Sequence, residues 1–308
     1  MNVDSWTVQF DVGTGKCAGR LFRPRDDGGE KRPAVVLAHG FALTQDALLP
    51  AVAKVMAERG LVALTFDYRG FGASDKLPGQ MFSVRGQRED IRAALAYART
   101  LSFVDAQRVA LWGYSYGGGH VIHVAAQDRA VAAVVTRAPF VNGWAYIRTR
   151  PLAEILRLVA AGLGDQLAGL TGRQPRYMPL IGPAGTAVPY AEPGFGTAYR
   201  RVVEHAPSWK NQIAPRALLY VAAYRPIRKA RKLDCPVFIS GARDDRIAPP
   251  PTATDLARRV PAAELRGYPG DHFSINEGDA GARVTSEETD WMAGVLASAK
   301  DRTEPRRQ

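Results

Sequence analysis

Val109-Ala110-Leu111-Trp112-Gly113-Tyr114-Ser115-Tyr116-Gly117 opens with four apolar residues that suit a strand covered on both faces and leads directly into a helix-like segment. Glycine, serine and glycine at alternate positions between a strand and a helix form a G-x-S-x-G elbow. A serine on so tight a turn carries a strained backbone. Side chains at 113 and 117 would collide with the strand and the helix. The hydroxyl of Ser115 is thereby expected at the C-terminal edge of a sheet, exposed to whatever binds there.

Outward from this stretch the same rhythm repeats. Ala34–Ala38 (AVVLA), Leu61–Phe66 (LVALTF) and Val131–Thr136 (VAAVVT) are further short apolar runs, with helical patterns at Ala47–Arg59 and Glu89–Leu101 between them. Strands alternating with helices predict a doubly wound, mostly parallel α/β sheet. Ahead of it, Trp6–Val12 alternates polar and apolar residues, and Ala18–Arg23 returns as its hairpin partner across Gly13–Gly15. A polar turn, Asp26–Lys31, follows. After Phe140 the rhythm stops. Residues 141–228 hold helical pieces such as Leu152–Leu163 among proline- and glycine-rich loops, and the strands resume at Pro236–Ser240 and Glu264–Tyr268. A final helix is expected from Thr285, with Glu288 completing a capping box, to about Ala299. The predicted organisation is a sheet core at 1–140 and 229–308, interrupted by a mainly helical cap at 141–228.

A serine hydroxyl is a weak nucleophile and requires a base that is itself oriented by an acid. In a sheet of this kind the chain order is serine, acid, histidine. After the strand Pro236–Ser240 comes Gly241-Ala242-Arg243-Asp244-Asp245, where Asp244 is the expected acid and Asp245 its alternative. After Glu264–Tyr268 comes Pro269-Gly270-Asp271-His272-Phe273. His272 is the only histidine beyond the acid. His39 is expected to order a strand-end loop, His120 and His123 to pack within a helix, and His205 to lie in the cap. Oxyanion donors are expected at the backbone amides of Tyr116, just after the nucleophile, and Phe41, in the loop His39-Gly40-Phe41-Ala42.

With elbow, acid loop, histidine loop and oxyanion loop in this order, the sequence resembles the α/β-hydrolase superfamily over essentially its whole length. Asp67–Asp75 (DYRGFGASD) after the Leu61–Phe66 strand adds to the resemblance and is expected to be a structural loop. Within the superfamily the chain resembles the group of YcjY-type hydrolases and polyketide transferases or thiohydrolases. The shared stretches are Leu180–Gly185, Ser208–Asn211 and Tyr224–Pro226; Asp271 departs from the glycine usual in that group. The resemblance implies a serine hydrolase, esterase- or thioesterase-like, cleaving a hydrophobic ester or thioester through an acyl-enzyme on Ser115, with no metal or organic cofactor. Haloalkane dehalogenases and epoxide hydrolases place aspartate at the elbow and are excluded by Ser115. An acyltransferase or thiohydrolase of polyketide metabolism with the same residues is the nearest alternative. A non-catalytic binder on the same fold is the second.

The cap is expected to roof Ser115 with apolar and aromatic side chains, and Trp144, Tyr146 and Trp209 are the candidate substrate contacts. Two cysteines, Cys17 and Cys235, are too few for a disulfide framework. The net charge of +11 is spread along the chain, densest at Arg225–Lys232 and Arg302–Arg307, and is expected to be solvated surface without a nucleic-acid partner. No run of about 18 apolar residues suggests a membrane span. The first twelve residues lack a basic and apolar leader pattern, so the cytoplasm is the expected compartment. A homodimer is left open, since no interface can be recognised from sequence.

Overall fold

The computed structural model describes residues 3–13, 15–25, 29–75 and 79–303. The tail Arg302–Arg307 lies largely outside them, as does Asp26 in the expected polar turn. Strands β1 (Val3–Val12) and β2 (Gly15–Pro24) form the expected antiparallel hairpin. Then follow β3 (Arg32–Ala38), α1 (Leu49–Glu58), β4 (Val62–Phe66), α2 (Val84–Thr100), β5 (Val104–Tyr114), α3 (Tyr116–Ala125) and β6 (Val131–Arg137). After an excursion come β9 (Val237–Ala242), α7 (Pro250–Arg259), β10 (Ala263–Tyr268) and α8 (Gly278–Thr303). The excursion itself contains α4 (Gly143–Ile147), α5 (Leu152–Leu170), the short parallel pair β7 (Ile181–Pro183) and β8 (Tyr190–Glu192), and α6 (Phe195–Val203).

The main sheet has eight strands in the order β1-β2-β4-β3-β5-β6-β9-β10. Only β1–β2 and β2–β4 pair antiparallel. Every strand from β4 across to β10 is parallel to its neighbour, and the apolar runs fill its interior: β4 is buried throughout, and β3 from Ala34 onward. Parallel register brings Gly113 level with Ala38 and Thr136, and Arg137 level with Ser240. The C-terminal ends of β3, β5, β6, β9 and β10 therefore share one edge, where ligands bind in open α/β sheets.

Helix boundaries depart from the sequence pattern where tertiary contacts outweigh it. α2 starts at Val84 because the Ser83 hydroxyl accepts the amide of Gly86 at 3.0 Å and caps it. The capping box expected at Thr285 is absent. Thr285 lies inside α8, its hydroxyl donating to the Gly281 carbonyl at 2.8 Å. Glu288, expected to cap, is fully buried and takes Arg137 Nη2 at 2.6 Å and Nε at 3.0 Å, with Trp112 Nε1 at 2.8 Å and Ser240 Oγ at 2.6 Å. One carboxylate thus joins β5, β6, β9 and α8 beneath the functional edge. A buried charge of this kind survives only when paired and fully hydrogen-bonded. Both cysteines are free and buried. Among the described residues no helix is long and apolar enough to cross a membrane.

Candidate active site

Ser115 follows β5 directly with φ 55° and ψ −118°, backbone torsions that cost on the order of 1–3 kcal/mol and persist only where the surroundings impose them. What imposes them is a ring of hydrogen bonds. Its amide donates to the Arg137 carbonyl at 2.9 Å, and its carbonyl accepts Gly119 at 3.1 Å and Phe140 at 2.9 Å. The flanking glycines are steric requirements: a Cβ on Gly117 would press into the carbonyls of Ala38 and His39, and one on Gly113 would stand 2.5 Å from the Gly117 carbonyl oxygen.

The Ser115 hydroxyl is 2.8 Å from His272 Nε2, and His272 Nδ1 is 2.7 Å from Asp245 Oδ2. The carboxylate that meets the imidazole is that of Asp245, where the sequence favoured its neighbour Asp244. Asp244 is exposed and contributes its amide to the Gly270 carbonyl at 2.9 Å, which ties the acid loop to the histidine loop. Asp245 is buried, with its second oxygen taken by the amides of Ile247 at 2.8 Å and Ala248 at 2.7 Å. Those two amides fix the carboxylate so that its remaining oxygen aims at the imidazole. His272 is placed in turn by Tyr114, whose hydroxyl donates to the His272 carbonyl at 2.8 Å.

Asp271, beside the histidine, does not reach the ring. Its Oδ1 accepts the amides of Phe273 and Ser274, both at 2.9 Å. Burial alone would raise its carboxyl; those amides outweigh burial and hold it below its ordinary range. His39 is buried, its Nδ1 donating to the Gly40 carbonyl at 3.1 Å, and desolvation lowers it to about 4. His120 bridges Gln87 and Tyr224, His123 is half-buried in α3, and His205 is exposed. Asp67 spends its carboxylate on Gln45 and on the amide of Ala73, as a loop-bracing residue does.

A narrow cavity of about 70 Å³ opens above Ser115. Phe41, Tyr116 and Phe140 wall it from the sheet side, and Tyr146, Leu158 and Tyr190 from the excursion. Of the three expected substrate contacts only Tyr146 lines it. Trp144 is half-exposed on the surface against Arg148. Trp209 instead donates its indole N–H to the Ala42 carbonyl at 3.1 Å, and Tyr199 donates to the Phe41 carbonyl at 2.8 Å. Both side chains thus anchor the loop of Phe41. Leu158 and Ile155 of α5 were not singled out in the sequence; their i, i+3 spacing on a helix with an otherwise broad apolar pattern was the available signal.

The family model described as serine aminopeptidase, S33, matches residues 29–277. The chain is 34% identical over 289 residues to the quorum-quenching protein AidA of Acinetobacter baumannii, covering 94% of each. It is 26% identical to the thiohydrolase aneE of Aspergillus aculeatus, over 92% of this chain and 90% of that one. The crystal structure of the α/β hydrolase GrgF from a Penicillium species superposes with a TM-score of 0.78 at 22% identity, covering 96% of this chain and all of the other, which is a likeness of fold.

Proposed function

Since the chain belongs to the S33 family of α/β-hydrolases, we propose that it is a serine hydrolase that cleaves a carboxylic ester or thioester through an acyl-enzyme on Ser115. The observation that carries this is the pair of contacts Ser115–His272 and His272–Asp245, at 2.8 and 2.7 Å. In the neutral imidazole Nε2 accepts the hydroxyl proton while Nδ1–H donates to Asp245. The hydroxyl oxygen attacks the carbonyl carbon as its proton passes to Nε2, and Asp245 stabilises the imidazolium. The imidazolium then returns that proton to the leaving alcohol or thiol as the C–O or C–S bond breaks. Water, deprotonated by the same nitrogen, attacks the acyl carbon; the bond to Ser115 Oγ breaks, Nε2 returns the proton to that oxygen, and the acid is released. The amides of Phe41 and Tyr116 are assigned as oxyanion donors: among the described residues neither has an acceptor within the protein, and both residues border the cavity beside Ser115. An aromatic and aliphatic lining suits an apolar acyl group.

Transfer of the acyl group to an acceptor other than water is the second reading. It is favoured by relatives named polyketide transferases, such as grgF and claH from Penicillium species. Labelling with a fluorophosphonate, followed by mass spectrometry, tests the shared step. The expected adduct is on Ser115, and it disappears in His272→Ala. A folded protein that takes no label would overturn the reading. Product analysis with competing alcohols then separates hydrolysis from transfer.

A further inference from the structure

A second cavity, of about 700 Å³, lies behind the wall formed by Tyr116, and among the described residues no Asp or Glu lines it. Its charged lining is Arg85, Arg88, Arg216, Arg225, Arg228 and Lys229. Arg85 pairs with Glu89 at 2.9 Å and Arg216 with Asp165 at 2.7 Å. Among the described residues the other four have no carboxylate at ion-pair distance. Arg88, Arg225 and Lys229 are half-buried and Arg228 is exposed, so their charges stand at the wall of the concavity with no carboxylate to offset them, a field that favours an anion. The four cations come from two distant parts of the chain and converge on one concavity. Ser83, Val84 and Arg85, at the start of the 17-residue α2, also border it, and so add the positive end of that helix. The same field acts on neighbouring His123, lowered to about 4 by burial and then by Arg88, Arg92 and Lys229.

We propose that this cavity is a binding site for a polyphosphate-bearing small molecule of nucleotide size. Guanidinium groups match phosphate oxygens two at a time, and the cavity is far larger than a single phosphate needs. Tyr220, 54% exposed, borders it and offers a flat ring for a base to stack on. The site is separate from the carbonyl-binding cavity: the two share no lining residue. It is nevertheless only one ring away. Tyr224 lines the second cavity, stacks on Tyr116 at 4.2 Å between ring centroids, and shares its hydroxyl between the Tyr116 carbonyl and His120. Arg88 lies over the Tyr224 ring at 5.5 Å.

Calorimetric titration of the whole protein at low ionic strength with ATP, with tripolyphosphate and with a short DNA duplex tests the site. Saturable binding of ATP is expected, unchanged in Ser115→Ala. The triple variant Arg225→Ser, Arg228→Ser, Lys229→Ser should weaken it about tenfold or more. A control with the same loss of charge at exposed positions, Lys16→Ser, Lys54→Ser, Arg173→Ser, should stay within about twofold of the parent. Tripolyphosphate binding as tightly as ATP would assign the affinity to the phosphates; weaker binding would assign part of it to stacking on Tyr220. Three results would each overturn the proposal: no saturation by either phosphate compound, an equal loss in the control, or a duplex that binds more tightly than ATP.

Discussion

The hydroxyl of Tyr114 donates to the backbone carbonyl of His272 at 2.8 Å, so the residue preceding Ser115 in sequence holds the loop that carries its partner. Ser115 and His272 are thereby referenced to one strand end rather than to two independent loops. Tyr114→Phe should cost about 1 kcal/mol of stability through the lost bond. It should also lower kcat roughly tenfold to a hundredfold through a displaced imidazole, with KM little changed. Steady-state kinetics beside a urea melt checks both; an unchanged kcat would deny Tyr114 its positioning role.

Asp245 and Asp244 make a sharp pair of substitutions because they are adjacent and only one faces the imidazole. Asp245→Asn should lower kcat about ten-thousand-fold, the size of loss seen when a triad acid becomes an amide that favours the wrong tautomer. Asp244→Asn should leave kcat within about threefold, because an exposed side chain away from the reacting atoms contributes little. A common ester substrate measured with both variants decides the assignment.

His39 and Asp67 set opposing slopes of stability with pH. Burial lowers His39 to about 4, so between pH 6.5 and 4 the unfolded chain binds a proton there that the folded chain does not. Stability from this group is full above pH 6.5 and falls by up to about 3 kcal/mol on acidification. Asp67 runs the other way: burial, only partly offset by the amides of Gln45 and Ala73, raises it to about 6. The folded state then binds the extra proton, and stability is gained as pH falls from 6 to 3.8. Relative to the parent, His39→Gln should lose less stability between pH 7 and 4.5, and Asp67→Asn should lose more. Urea midpoints at the two pH values give the comparison.

Glu288→Gln should be among the most damaging single changes outside the catalytic groups. It keeps the shape but leaves the buried guanidinium of Arg137 without its counter-charge, a loss of about 3–5 kcal/mol. Thermal melts should show the deficit with no change in the chemistry of labelling at Ser115 while the protein remains folded.

The parts legible in the sequence were those with a local cause. The apolar runs of β3 to β6 announced a parallel sheet because both faces are covered. Ser115 and His272 announced themselves through chain order and through glycines that nothing bulkier could replace. Asp244 and Asp245 could not be separated, because neighbouring residues in a turn point apart, and the direction is set by a hydrogen bond from the Asp244 amide to a loop 26 residues on. Thr285 and Glu288 matched a helix-start pattern, yet Glu288 serves Arg137, a partner 151 residues away. Across residues 141–228, aromatic identity was visible but facing was not: Pro- and Gly-rich loops break the periodicity that would have told Tyr146 from Trp144.

The Arg137–Glu288 pair also sets a timetable. A ribosome adds residues at roughly 5–20 per second, so Glu288 emerges on the order of ten to thirty seconds after Arg137. Until it does, the Arg137 guanidinium has no Glu288 to pair with, so the sheet that bears Ser115 gains this buried counter-charge only after residues 138–287 have been synthesised.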